Sequence, residues 1–230
     1  MIPKIIHYCW FGRGPMPELA LRCIESWHKH MPDYQYKLWN EDNFDVTCTP
    51  YTKEAYEAKK YAFVSDYVRL KALSEEGGIY LDTDVEVFKP FDDLLDDKAF
   101  AGTEGSKHQP VGTCVMASEP GGEWISECLA SYEGRHFSRP DGTRDLTTNV
   151  VFLNKLLQDR GSADLHIYPV EYFSPRQTTG EYLRTADTYC DHLGICSWDN
   201  RKKGWKGMVR KFVGDANMTR LIKLKRKILG

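Results

Sequence analysis

A chain of 230 residues with 41% hydrophobic, 13% aromatic and 28% charged side chains has the make-up of one folded α/β domain and lacks the bias of a disordered or fibrous chain. No stretch approaches the ~20 apolar residues of a membrane span, the opening Met1-Ile2-Pro3-Lys4 is unlike a secretory leader, and seven cysteines with no CxxC pair suggest neither a disulfide framework nor a zinc site, so a reducing, cytosolic setting is expected. The net charge of −2 hides a split: of 31 bases and 33 acids, eleven bases and one acid, Asp215, fall in residues 201–230, which makes a basic tail on an acidic body.

In chain order, residues 2–10 are β-branched and aromatic and run into Phe11-Gly12-Arg13-Gly14-Pro15, a strand ending in a loop. Residues 17–31 carry apolar side chains at helical spacing (Leu19, Cys23, Trp27, Met31), and Pro32 ends the pattern. Residues 34–39 alternate as a second strand, so the chain opens as a βαβ unit. Residues 53–76 read as the longest helix, closed by Gly77-Gly78. Ile79-Tyr80-Leu81 is then a short strand leading into Asp82-Thr83-Asp84, with residues 85–88 extended. Further strands are expected near 100–103, 113–117 and 165–170, and helices near 123–132 and 148–159. Composition changes only near Asp199-Asn200, which divides a body of residues 1–200 from a tail of residues 201–230.

Two carboxylates two residues apart, just past an apolar strand, occupy the place where α/β sheets bind ligands. Hard cations such as Mn²⁺ or Mg²⁺ take carboxylate oxygens together with substrate phosphates, so Asp82 and Asp84 fit a metal holding a diphosphate. The plainer reading is a turn in which Asp82 caps backbone amides. Upstream, Asp66 and Arg69 share one helical arc with Ala62, Leu70 and Leu73. They form either a simple i,i+3 ion pair or a donor contact, with Arg69 on a phosphate and Asp66 on a sugar hydroxyl. A phosphatase of the haloacid dehalogenase type also opens with a strand and Asp-x-Asp, but Glu86 stands where that family has Thr.

Three segments taken together resemble one family: Ile2-Pro3-Lys4-Ile5-Ile6-His7-Tyr8-Cys9-Trp10-Phe11-Gly12; Ser65-Asp66-Tyr67-Val68-Arg69 running on to Gly77-Gly78-Ile79-Tyr80-Leu81-Asp82-Thr83-Asp84; and His192 through Ser197-Trp198. The chain resembles, over about residues 1–200, the glycosyltransferases with the DXD sugar-binding region (family 32-like). These include yeast initiation mannosyltransferases, bacterial capsule and O-antigen transferases and, more distantly, clostridial glucosylating toxins. The resemblance implies a GT-A fold: an α/β, Rossmann-like nucleotide-binding domain with a mixed central sheet, here followed by a basic helical tail. It implies a retaining, metal-dependent hexosyl transfer from a nucleotide-sugar donor. Trp10 would stack on the base, with Tyr8 and Ser65 as further donor contacts. Asp66 and Arg69 would meet the donor sugar and phosphate, and Tyr80 would line the nucleotide pocket. Asp82 and Asp84, with His192, would hold Mn²⁺ or Mg²⁺, and Ser197 and Trp198 would fold over the diphosphate. Asn149, which opens a predicted helix, is an N-cap or lines the sugar pocket.

The sequence nominates no nucleophile, so same-face attack by the acceptor is the expected retaining route, with UDP-hexose as donor by analogy. The tail interleaves cations with Trp205, Phe212, Leu221, Ile222, Leu224, Ile228 and Leu229. Such basic amphipathic segments read as membrane-surface elements, where each base contributes roughly 1 kcal/mol against an anionic leaflet. A peripheral enzyme at the inner face of the membrane, acting on a glycan or lipid-linked acceptor in cell-surface polysaccharide synthesis, is the resulting expectation. No nucleic-acid motif is present. The alternative from another class is a sugar- or nucleotide-binding module that kept the fold without turnover.

Overall fold

The computed structural model describes residues 1–105, 110–161, 164–176 and 181–194. Ser197, Trp198 and the basic tail lie outside the described residues. Residues Met1–Leu193 form one compact unit.

The chain opens as the βαβ unit its pattern predicts: β1 (Ile5–Cys9), α1 (Glu18–His30) and β2 (Gln35–Trp39), with β1 and β2 parallel. The expected long helix is two helices, α2 (Pro50–Glu57) and α3 (Tyr61–Glu76). Thr49 and Thr52 form a capping box at the start of α2, with Pro50 in the first turn. The break falls at Lys59, whose φ of 56° no α-helix accommodates. Helix α3 ends at Gly77 and feeds β3 (Gly78–Leu81). Then come β4 (Val85–Val87), β5 (Ala99–Thr103), β6 (Val111–Ser118), α4 (Glu123–Ala130), α5 (Asn149–Arg160), β7 (His166–Tyr168), α6 (Val170–Phe173) and β8 (Cys190–His192). The expected strand at 165–170 is thus shorter and turns into α6 at Val170. Strand β8 has only three residues and no periodicity to announce it.

Six strands make a mixed sheet in the order β2-β1-β3-β6-β5-β7, in which β6 alone runs against its neighbours. The chain leaves β1 to one side for β2 and returns on the other side for β3. That reversal makes a switch point beyond the carboxyl ends of β1 and β3, the place where open α/β sheets bind ligands. Alternation along β3 sends Tyr80 into the core beneath α3 and α4, and Ile79 and Leu81 into the opposite core around Trp27, Phe91 and Phe173. Strands β4 and β8 form a separate antiparallel pair in which Val85 faces His192.

Candidate active site

The two aspartates of Asp82-Thr83-Asp84 follow β3 directly. The Asp82 amide donates to Cys114 O (2.9 Å), carrying the β3–β6 ladder one step past the strand, and the Val85 amide donates to Asp82 O (3.0 Å), closing a turn. The turn expected of a plain Asp-x-Asp therefore forms, but through the backbone, and the carboxylates are used elsewhere. Gly78 sets the path in. It has φ +97°, and a Cβ there would meet Ile5 O at 2.6 Å, so only glycine lets β3 lie this close to β1.

Helix α3 brings Arg69 against β3, with its guanidinium 4.4 Å from the centre of the Tyr80 ring. Nη2 contacts Asp66 Oδ1 (3.3 Å) and Asp82 Oδ1 (3.1 Å). Nη1 donates to Thr113 O (2.7 Å) and Thr113 Oγ1 (3.3 Å), and Nε to Ser65 O (3.4 Å). The i,i+3 pair foreseen on α3 thus exists, is buried, and extends to the first aspartate of the motif. Arg69 is 5% exposed and all its donors face protein acceptors, so it braces Asp66 and Asp82 in place. Burial weakens its charge, but Asp82, Tyr80 and Asp66 more than compensate and raise its pKa.

Asp66 also accepts from the Asn149 amide (3.3 Å), while Asn149 Nδ2 donates to the Asp66 carbonyl (2.6 Å) and Tyr132 donates to Asn149 Oδ1 (2.6 Å). Asn149 is the first residue of α5 and Thr148 is the cap residue, so the capping expectation for Asn149 is corrected. Its side chain ties α5 to α3 instead. Burial pushes the Asp66 carboxyl pKa up against the pull of Arg69.

Tyr80 donates to Asp82 Oδ1 (3.0 Å). Asp82 is raised to about 6, first by burial and then by the neighbouring charge of Asp84, with Arg69 opposing. His192 enters from β8 through the Val85–His192 register, fixed further by the Leu193 amide on Asp84 O (3.0 Å). Its Nε2 lies 3.4 Å from Asp84 Oδ1. Burial opposes the imidazolium, but Cys114, Asp84 and Glu104 together raise the His192 pKa well above the usual range. Asp82, Asp84 and His192 each offer a ligand atom, all within 4.8 Å of one another, and Glu104, Cys114 and His192 form a second such group. Carboxylates with an imidazole suit Mn²⁺ and, less well, Mg²⁺, so the donor set fits such an ion.

Trp10 follows β1 at the same end of the sheet, half-buried, with its indole N–H on Gly14 O (2.7 Å). Tyr8 stands edge-on to Trp27 at 5.4 Å, and Ser65 donates to Tyr61 O (3.2 Å) within α3. Three participants had no place in the sequence reading: Thr113 and Cys114 on β6, and Glu104 just past β5. Cys114 is buried, which pushes its thiol pKa up to about 12. An acid following a short strand is a weak sign, yet the carboxyl end of β5 lies at the same edge as those of β1 and β3.

Residues 17–101 match the family described as a glycosyltransferase sugar-binding region containing the DXD motif. The chain is 30% identical over 58% of its length to glucan organizing enzyme 1 of Cryptococcus neoformans, covering 44% of that protein. It is 37% identical over 41% of its length to inositol phosphoceramide mannosyltransferase 3 of Schizosaccharomyces pombe, covering 27%. The chain therefore spans less than half of these curated relatives. Among solved structures, PaToxG glycosyltransferase superposes with a TM-score of 0.55 at 21% identity, over 71% of this chain and 72% of its own. That likeness carries the fold, the mixed α/β sheet of the GT-A type.

Proposed function

We propose, for a chain that carries the DXD-containing glycosyltransferase region on a GT-A fold, that it transfers a hexose from a nucleotide-sugar donor to a glycan or lipid-linked acceptor with retention of configuration. The observation that carries this reading is the convergence of Asp82, Asp84 and His192 at the carboxyl end of β3, braced from α3 by Arg69. Two carboxylates and an imidazole thus meet from two segments more than a hundred residues apart, as this reading requires.

A divalent ion held by Asp82, Asp84 and His192 would supply Lewis-acid stabilisation of the leaving nucleoside diphosphate. The residues of the chain do the rest. Trp10, at the same end of the sheet, offers a flat face to the base. Asp66 and Asn149 are buried and committed to each other, to Arg69 and to Tyr132, so their part is to hold α3 and α5 together behind the aspartates. Arg69 fixes Asp66 and Asp82 in one geometry, so its contribution is preorganisation and a positive field at the site of charge development. Same-face attack fits a site whose buried carboxylates are committed to Arg69, Tyr80, Asn149 and His192. Ser197 and Trp198 would close over the diphosphate, and the tail of residues 201–230 would hold the enzyme on an anionic membrane at the inner face, as in capsule-type polysaccharide assembly. Among the described residues no helix is long and apolar enough to cross a membrane.

The test is donor turnover with a panel of UDP- and GDP-hexoses, with Mn²⁺ and with chelator. Release of nucleoside diphosphate that requires the metal supports transfer chemistry. Tight binding of a nucleotide sugar without release, with every acceptor offered, would replace the enzyme by a binding module.

A further inference from the structure

The imidazole of His192 stands between two carboxylates. Its Nε2 lies 3.4 Å from Asp84 Oδ1, and its Nδ1 lies 3.4 Å from Glu104 Oε1. Glu104 is held in that position by its surroundings. It follows β5, its amide donates to Pro110 O (3.2 Å), and its side chain lies over Gly112 of β6. A Cβ at Gly112 would come within 2.1 Å of Glu104 Cδ, so the carboxylate can occupy this place only because position 112 has no side chain. Glu104 Oε1 is sealed from solvent, and the donors around the carboxylate are the His192 ring and the thiol and amide of Cys114. A buried carboxylate oxygen needs a donor, and the ring nitrogen that Oε1 faces, at 3.4 Å, is Nδ1.

A metal-binding histidine usually donates its second ring N–H to a carboxylate or carbonyl, which fixes the tautomer and the ring plane. We propose that Glu104 is a positioning residue: it accepts the Nδ1–H of His192 and thereby turns the Nε2 lone pair toward Asp82 and Asp84. The inference rests on the metal reading of that site. It assigns to the end of β5 a part in metal binding without making Glu104 a ligand, and it gives Gly112 a reason to be glycine.

The experiment is Mn²⁺ affinity by electron paramagnetic resonance on the full chain, for wild type, Glu104→Ala, Glu104→Gln, Gly112→Ala, Cys114→Ser and Asp84→Asn. It is paired with ¹⁵N shifts of His192, which report the ring nitrogen that carries the proton. Glu104→Ala and Gly112→Ala should each weaken Mn²⁺ binding about 10–100-fold. Glu104→Gln, which keeps an accepting oxygen, should restore most of the affinity, and Cys114→Ser should weaken it less than Glu104→Ala does. In the Mg²⁺-loaded wild type the His192 proton should sit on Nδ1, and this preference should be lost in Glu104→Ala. Wild-type affinity and an unchanged tautomer in Glu104→Ala would overturn the proposal. So would a loss in Cys114→Ser equal to that in Glu104→Ala, since Glu104 and Cys114 would then be acting as ligands together. If Asp84→Asn binds Mn²⁺ as wild type does, the metal reading itself falls. The tautomer of the neutral ring in the metal-free protein, read at a pH above the raised His192 pKa, then decides whether Glu104 orients His192 at all.

Discussion

At the scale of single residues, the site is a charge balance built around Arg69 and Asp84. Asp84→Asn keeps the shape and removes the charge of the second aspartate. It should leave the fold intact while lowering metal-dependent turnover by on the order of 10²–10³-fold, the usual cost of deleting one group that stabilises developing charge. Steady-state kinetics with Mn²⁺, checked by circular dichroism, measures this. Arg69 makes a separate prediction. Lysine keeps the charge but offers three donors from a single point where the guanidinium offers five in a plane. Arg69→Lys should lower turnover at least about tenfold, equivalent to roughly 1.4 kcal/mol of barrier. Arg69→Met, which strands Asp66 and Asp82, should destabilise the fold by about 3–5 kcal/mol in urea unfolding. The sequence made much of this legible. Asp66, Arg69, Tyr80, Asp82, Asp84 and His192, all nominated by the motifs, lie in one connected network. The commitment of Arg69 to Thr113 and Ser65 was not legible, because it depends on which strand of the sheet lies opposite α3. Glu104 was missed for the same reason: its meaning comes from β8 crossing to it from 88 residues downstream.

At the scale of elements, the loop bearing the aspartates is held from the side by α1. Trp27 donates its indole N–H to Val85 O (2.7 Å), and Ser26 Oγ accepts from the Val87 amide (2.9 Å), so helix side chains act as a neighbouring strand for β4. Trp27→Phe should leave the buried Val85 carbonyl without its donor and cost about 1–3 kcal/mol. Thermal unfolding would show the loss, and a weaker affinity for Mn²⁺ would show that α1 shapes the site. Gly78→Ala belongs here as well. Its φ and the approach of Ile5 O make it destabilising by about 1–3 kcal/mol or more. Pattern was enough to find β1, α1 and β2, and short apolar runs marked β3 and β6, which are buried along their whole length. It failed at the junction of α2 and α3, where Lys59 takes a left-handed conformation with no glycine to signal it. It failed again at β8, which is too short to carry a pattern and exists because β4 offers it a register.

At the scale of the whole molecule, the acidic body and the basic tail make separate predictions. Within the body, Asp82 has a folded pKa raised to about 6, so between the ordinary carboxylate value and 6 the folded state binds more protons than the unfolded chain. Stability of the metal-free protein should therefore fall as pH rises through that window, and a bound cation should remove the penalty. Mn²⁺ should raise the melting temperature more at neutral pH than at pH 5, where protons compete for the same oxygens. For the tail, removing residues 201–230 should spare donor hydrolysis and reduce co-sedimentation with anionic vesicles, the more so at low salt, because attachment by charge is screened over about 8–10 Å in physiological buffer. Unchanged sedimentation would favour a tail packed on the acidic body. The central claim, metal-dependent transfer from a nucleotide sugar at Asp82 and Asp84, is tested most directly by nucleoside diphosphate release from a hexose donor panel by the full chain and its Asp84→Asn variant, each with Mn²⁺ and with chelator. The account predicts release by the wild type with Mn²⁺ alone, abolished by chelation and lowered on the order of 10²–10³-fold by the substitution. Equal release in chelator, or by the Asp84→Asn variant, would contradict it.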